Sequence, residues 1–130
     1  MPVVGYQTDQ FPAFYSRSSG IGVDAVARTP DEAAEIALVH WQTNAATAVL
    51  VCAPVPEEFE IPTEEVERAV KEAVRRAERQ GIRGKALTPF LLSEMKEITS
   101  GNTLAANRAL LINNARIAAR IAASLCLNFA

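Results

Sequence analysis

The chain has one histidine, two cysteines, one tryptophan and six glycines among its 130 residues. Each shortage closes off a class of chemistry. A lone histidine, His40, rules out multi-histidine metal sites, and its place beside Trp41 near a helix end reads as structural rather than catalytic. Cys52 and Cys126 lie far apart in apolar surroundings with no CxxC or Cys/His spacing. That pattern gives neither a disulfide framework nor a zinc motif and reads as two structural thiols in a reducing compartment. The glycines form no phosphate loop: GIRGK (81–85) has two glycines and two cations but lacks the spacing and reads as a turn. No uninterrupted apolar run reaches the roughly 18 residues that span a bilayer. The first ten residues, MPVVGYQTDQ, carry no basic region followed by an apolar core, so no secretory signal is visible. Charge is also short: the net is −2 and the pI about 5.4, which argues against a nucleic-acid or anionic-membrane surface. The expectation is a cytoplasmic protein with no nucleic-acid and no membrane partner.

What is present fits one domain of ordinary balance, 49% apolar and 22% charged. Residues 2–6 (PVVGY) form a short apolar run that reads as a buried strand, and residues 21–27 offer a second. Thr29-Pro30-Asp31-Glu32 spells a helix start, with Thr as N-cap, Pro first and Glu third. That helix runs through Ala33, Ile36, Ala37 and His40 or Trp41. Residues 45–52 (AATAVLVC) make the best strand, leaving through the stiff A-P-V-P segment 53–56. Glu57 and Glu58 follow, and adjacent carboxylates ahead of a helix read as favourable charge at its start rather than as an acid–base pair. Thr63 is the expected cap of an amphipathic helix with Val66, Ala69, Val70, Ala73, Val74 and Ala77 inward, closed by Gly81. Thr88-Pro89 opens a shorter helix with Leu91, Leu92, Met95 and Ile98 inward, closed by Gly101. The order predicts an α/β fold: a short, mostly parallel sheet flanked by helices, with three helices at the C-terminal end.

Two segments stand out for function. Residues 102–125 form a long helix without Pro or Gly, on which Leu104, Leu111, Ala118, Ile121 and Leu125 share one stripe. Asn107 and Asn114 fall on that stripe. A buried carboxamide without partners costs a few kcal/mol, so either the fold satisfies these amides or a ligand does. Residues 7–20 (QTDQFPAFYSRSSG) follow a strand end and combine three aromatics with Arg17, Ser16, Ser18 and Ser19. This is either a ligand-facing loop whose arginine and serines suit an oxyanion or an aromatic-anchored surface loop.

Three stretches together resemble the pseudouridine-5′-phosphate glycosidase family, also called pseudouridylate synthase or indigoidine synthase A-like: VVGYQTDQFPAFYSRSSG (3–20), GIRGKALTPFLLSEMKEITSGNTLAAN (81–107) and LLINNARIAARIA (110–122). EIALVHWQ (35–42) and AVLVCAPVPEEF (48–59) extend the resemblance over nearly the whole chain. It implies an α/β/α fold, a trimer and reversible cleavage of the C–C glycosidic bond of pseudouridine 5′-phosphate to uracil and ribose 5-phosphate. It implies a Schiff-base lysine, a proton-donating glutamate and a manganese ion held by an aspartate. Those residues belong to the family's N-terminal and central segments, which have no counterpart here, and Lys71, Lys85 and Lys96 match no catalytic lysine. The expected catalytic and metal-ligating residues of this chain are therefore none, with residues 1–130 forming the C-terminal part of the family fold, inactive alone.

The family's SLxxN segment reads TLAAN here, which puts a uracil-contacting role on Asn107. Asn114 lies in the matching NNA motif and is a weaker contact candidate; Arg17 is a third. Ala53 stands where the family often has Asn, before the first Pro of its strand exit. The alternative is a non-catalytic or split-enzyme subunit that associates with a full-length or N-terminal partner through a sheet edge beside residues 2–6.

Overall fold

A computed structural model describes residues 1–43 and 47–129, with side chains described through Leu127. Its sheet has three short parallel strands in the order β2-β1-β3. Strand β1 (Val3–Tyr6) is central, β2 (Ala25–Ala27) lies on one side and β3 (Leu50–Cys52) on the other. The first strand is thus hydrogen-bonded on both flanks, so residues 2–6 offer no open edge; the edges belong to β2 and β3. Both outer strands are shorter than the sequence suggests. Residues 47–49 lie outside β3, and the start of the expected strand, residues 44–46, falls outside the described residues.

Side-chain alternation gives the sheet two unlike faces. Val4 and Tyr6 point with Ala25, Ala27, Val49, Val51 and Ala53 into one cluster with Ala33 and Ile36 of α1 (Pro30–Thr43) and Ile117 and Ile121 of α4 (Asn102–Phe129). Helix α1 starts as expected. The Glu32 amide donates to Thr29 Oγ1 at 3.2 Å, while the Glu32 carboxylate accepts from the Arg28 amide at 2.7 Å. Ser124 of α4 donates to Asp31 at 2.6 Å and ties the two helices together.

A second cluster joins Val66, Ala69 and Ala73 of α2 (Thr63–Arg79) to Leu91, Met95 and Ile98 of α3 (Leu87–Ile98), to Ala106 and Leu110 of α4, and to Tyr15, Val55 and Ile61. Helix α2 buries alanines at intervals of four, and the narrow stripe leaves Val70 and Val74 partly exposed, against the expectation. Leu92 is likewise exposed on α3. The α2 N-cap is Pro62, with Thr63 already helical and making no capping bond. Gly81, at φ +66°, closes α2 as anticipated: the Ile82 amide reaches Ala77 O and the Gly81 amide reaches Glu78 O. Arg76 bridges α2 to Glu94 of α3 at 2.7 Å and also binds Glu72 at 3.0 Å.

The long helix is turned by about one residue from its expected register. Thr103, Ala106 and Ser124 are buried, with Leu110, Asn113, Ile117 and Ile121 half-buried beside them. Leu104 and Leu111 face outward, 53% and 62% exposed, and Ala118 is exposed as well. The inward face mixes small residues with Leu110, Ile117 and Ile121, which pack on the two core clusters. The outer face is apolar enough that Asn102–Leu127 holds a long apolar stretch of which little is buried here. By length and composition that stretch could cross a membrane, but here its inner side packs on α1 and the sheet.

Candidate functional site

At the carboxyl end of β1 the chain turns sharply. Gly5 makes the turn possible: a Cβ there would stand 2.1 Å from the carbonyl oxygen of Thr8, so the backbone returns over the strand where only glycine fits. Gln7 then takes a left-handed conformation, φ +56°, which costs a non-glycine residue free energy and is held by two bonds. Its amide donates to Ala27 O at 2.8 Å and its side-chain nitrogen donates to Arg28 O at 3.0 Å. The following loop closes on itself, with Gln10 and Gly22 bridged antiparallel and the Phe11 amide bound to Ile21 O at 2.7 Å.

The loop is aromatic-anchored, one of the two readings its sequence allowed. Tyr15 is buried in the helical cluster, with Phe14 packed edge-on against it at 4.6 Å, so the loop is anchored by an aromatic. Burial raises the Tyr15 phenol above its ordinary range, which keeps it neutral. The three serines hold the loop together rather than await an oxyanion. Ser16 donates to Ile61 O at 2.7 Å, Ser18 to Gln10 Oε1 and Ser19 to Phe11 O. Arg17 is different. Its amide is held by the Glu60 carboxylate at 2.9 Å and one guanidinium nitrogen donates to Val55 O at 2.8 Å. Arg17 also lines a cleft of about 240 Å³ at the carboxyl ends of β1 and β3.

That cleft also receives Gln7 from β1's end, Pro54 and Pro56 from the β3 exit, and Asn113, Ile117 and Arg120 from α4. The carboxyl end of a parallel sheet is where α/β folds place ligands. At Asn113 and Pro56 the cleft meets a broader groove of about 740 Å³, walled by Phe59, Leu104 and Ile112 and edged by Glu58, Arg108 and Arg116. Among the described residues, none of Arg17, Arg108, Arg116 and Arg120 makes an ion pair with a carboxylate, whereas every such pair involves α2.

The sequence-derived asparagines sit elsewhere on α4. Asn107 is half-buried and Asn114 exposed, and neither lines the cleft or the groove. Asn113, the other member of the NNA motif, lines both. Gln7, Asn113 and Arg120 were not singled out from sequence. Placing Asn113 and Arg120 needed the true register of α4, in which 113, 117 and 120 fall at helical steps of four and three. His40 bonds Thr47 at 2.7 Å, away from the cleft. Cys52 is partly buried with its thiol pushed up by that burial, while Cys126 is exposed on α4 rather than structural. Among the described residues no three His, Cys, Asp or Glu side chains converge, so the donor set does not by itself fit manganese.

Comparison with known proteins gives these features a family. Residues 1–124 match the family described as Indigoidine synthase A like protein. A pseudouridine-5′-phosphate glycosidase of Caldanaerobacter subterraneus is 45% identical over 125 residues, 96% of this chain and 41% of that protein. One of Rhodospirillum centenum is 48% identical over 119 residues, 92% of this chain and 37% of its own length. The crystal structure of the prealnumycin C-glycosynthase AlnA in complex with ribulose 5-phosphate superposes with a TM-score of 0.85 at 34% identity, covering 95% of this chain and 41% of AlnA. An indigoidine synthase A-like protein of Thermotoga maritima gives 0.81 at 37% identity, over 98% of this chain and 41% of that one. The chain thus spans about two-fifths of the length of these relatives. With a match running through both core clusters and the loop and helix that form the cleft, the chain belongs to the indigoidine synthase A-like protein family.

Proposed function

We propose that this chain serves the reversible cleavage of the C–C glycosidic bond of pseudouridine 5′-phosphate, as the C-terminal wall of a glycosidase active site. The observation that carries this reading is the near-complete match of the chain to glycosidases of that name at 45–48% identity. Breaking a bond to a carbon leaving group calls for covalent capture of the sugar and protonation of the base. Among the described residues no lysine lines the cleft: Lys71 lies on α2 beside Glu67, Lys85 in a turn before α3, and Lys96 on α3. In this reading the lysine, the glutamate and the aspartate for manganese come from segments equivalent to the rest of the relatives' length, and the chain alone is inactive.

Asn107 contacts uracil in this scheme, since a carboxamide can donate to a ring carbonyl and accept from an imide N–H at once. Asn114 is the weaker contact. Arg17 serves the charged end of the substrate. The exposed apolar face of α4, with Leu104 and Leu111 outward, supports association with a partner segment or with further copies, a trimer in the family pattern. The proposed setting is the cytoplasm.

The test mixes the chain with uracil, ribose 5-phosphate and Mn²⁺, with and without the N-terminal part of the Caldanaerobacter glycosidase that the match leaves uncovered. Pseudouridine 5′-phosphate is expected only when both are present. Robust turnover by the chain alone would refute its dependence on a partner. Its absence from a folded, associated mixture would refute the glycosidase reading.

A further inference from the structure

We propose that the groove walled by Phe59, Leu104 and Ile112 is a docking surface for a second copy of this chain, seated about a twofold axis with the two α4 helices antiparallel. The groove is apolar and open. Phe59 and Ile112 are 39% and 43% exposed, and Leu104 more so. Large hydrophobes left in water along one continuous face mark a surface for association. The groove follows α4 from Gly101 to Arg116 at helical steps of three and four, a length of about 22 Å at 1.5 Å per residue.

The order of charge along the groove names the occupant. Glu58 stands toward the Gly101 end, where it shares an adjoining hollow with Asn102 and Ala105. Arg116 closes the opposite end. Among the described residues neither makes an ion pair within its own chain. Helix α4 carries no Asp or Glu, so it offers its own arginines no counter-charge. A surface negative at one end and positive at the other is complementary to itself turned through 180°. A twofold interface makes that match, because residue i meets residue j while j meets i. With the axis level with Leu110, Leu104 lies at the height of Arg116 in the second copy. Glu58 of each chain then approaches Arg116 of the other, and the apolar walls close between the two contacts. Ile112 falls at the height of Arg108 in the second copy, whose aliphatic stem can cover it while the guanidinium stays in water. The pairing does not rest on the glycosidase reading.

The experiment is sedimentation equilibrium of the 130-residue chain up to about 500 μM, with circular dichroism to establish that each variant is folded. A reversible dimer that weakens with added salt is expected. Glu58→Arg makes both ends of the groove positive and Arg116→Glu makes both negative, so each variant should dimerise at least tenfold more weakly. Mixed together, the two variants should pair with each other at close to the original affinity. A chain carrying both substitutions should regain its own dimer. Arg79→Glu, at the far end of α2, should leave dimerisation unchanged. A chain that stays monomeric throughout overturns the proposal, as does a trimer, since a twofold contact closes at two copies. Failure of the two folded variants to pair on mixing overturns it as well. A monomer in which Glu58→Arg and Arg116→Glu instead impair joining to the N-terminal part of a glycosidase relative assigns the groove to that segment and not to a second copy. Pseudouridine 5′-phosphate formation in the mixed assay bears on the glycosidase reading alone, so the two can fail separately.

Discussion

Gly5 shows how one atom's absence places a site. The Thr8 carbonyl oxygen occupies the space a side chain would need, 2.1 Å from an ideal Cβ, and backbone cannot yield as the tip of a flexible side chain can. Gly5→Ala must push the loop off the strand end, at a cost of about 1–3 kcal/mol typical of overpacking. A chemical melt of the variant should show that loss. Unchanged stability would mean the loop moves freely. Ser100 presents the opposite case. It holds φ +53° at the end of α3, where the Gly101 amide reaches Lys96 O and the Ser100 amide reaches Glu97 O. The left-handed region costs an L-residue roughly 1–2 kcal/mol. Ser100→Gly should therefore raise the melting midpoint, the gain in stability being at most about 1 kcal/mol, less whatever freedom glycine adds to the unfolded chain. A fall in the midpoint would contradict this account of the turn.

Among the elements, α1 and α4 mark the two ends of legibility. The start of α1 was written locally: Thr29 accepts from the Glu32 amide and the Glu32 carboxylate accepts from the Arg28 amide within one turn, so the sequence alone specifies it. The face of α4 was not, because Leu, Ile and Ala occur all around it and periodicity could not choose among neighbouring stripes. Contacts distant in sequence decided the matter, with Ser124 reaching Asp31 and Ile117 and Ile121 reaching the sheet. The cleft was unreadable for the same reason. Arg17 could be suspected from its loop, but Arg120 and Asn113 join it only through that register. The α2–α3 pair carries a charge prediction. Hydrogen bonds from Arg76 and Arg75 hold the Glu72 carboxyl below its ordinary range, so ionised Glu72 is favoured in the fold. Its contribution is present above the unfolded carboxylate pKa and disappears as pH falls through the depressed value. Because the group is exposed, the effect should be small and should shrink in salt. Glu72→Gln should flatten the acid limb of a stability–pH profile; an unchanged limb would assign the acid sensitivity to other carboxylates.

For the whole molecule, the decisive feature is an unequal surface. One sheet face and one side of α4 are packed, while Val26 and Leu50 on the other sheet face and Leu104 and Leu111 on α4 stay substantially exposed. Parallel sheets are ordinarily covered on both faces. The relatives, more than twice as long, have the chain to provide such cover. A two-arginine cleft open at the sheet's carboxyl end and a half-buried Asn107 suit a wall that faces another wall. The most direct measurement is formation of pseudouridine 5′-phosphate from uracil and ribose 5-phosphate by this chain together with the uncovered N-terminal part of a glycosidase relative. Product from the mixture and from neither part alone is the predicted result. Product from this chain alone, or none from a folded and associated mixture, would contradict it.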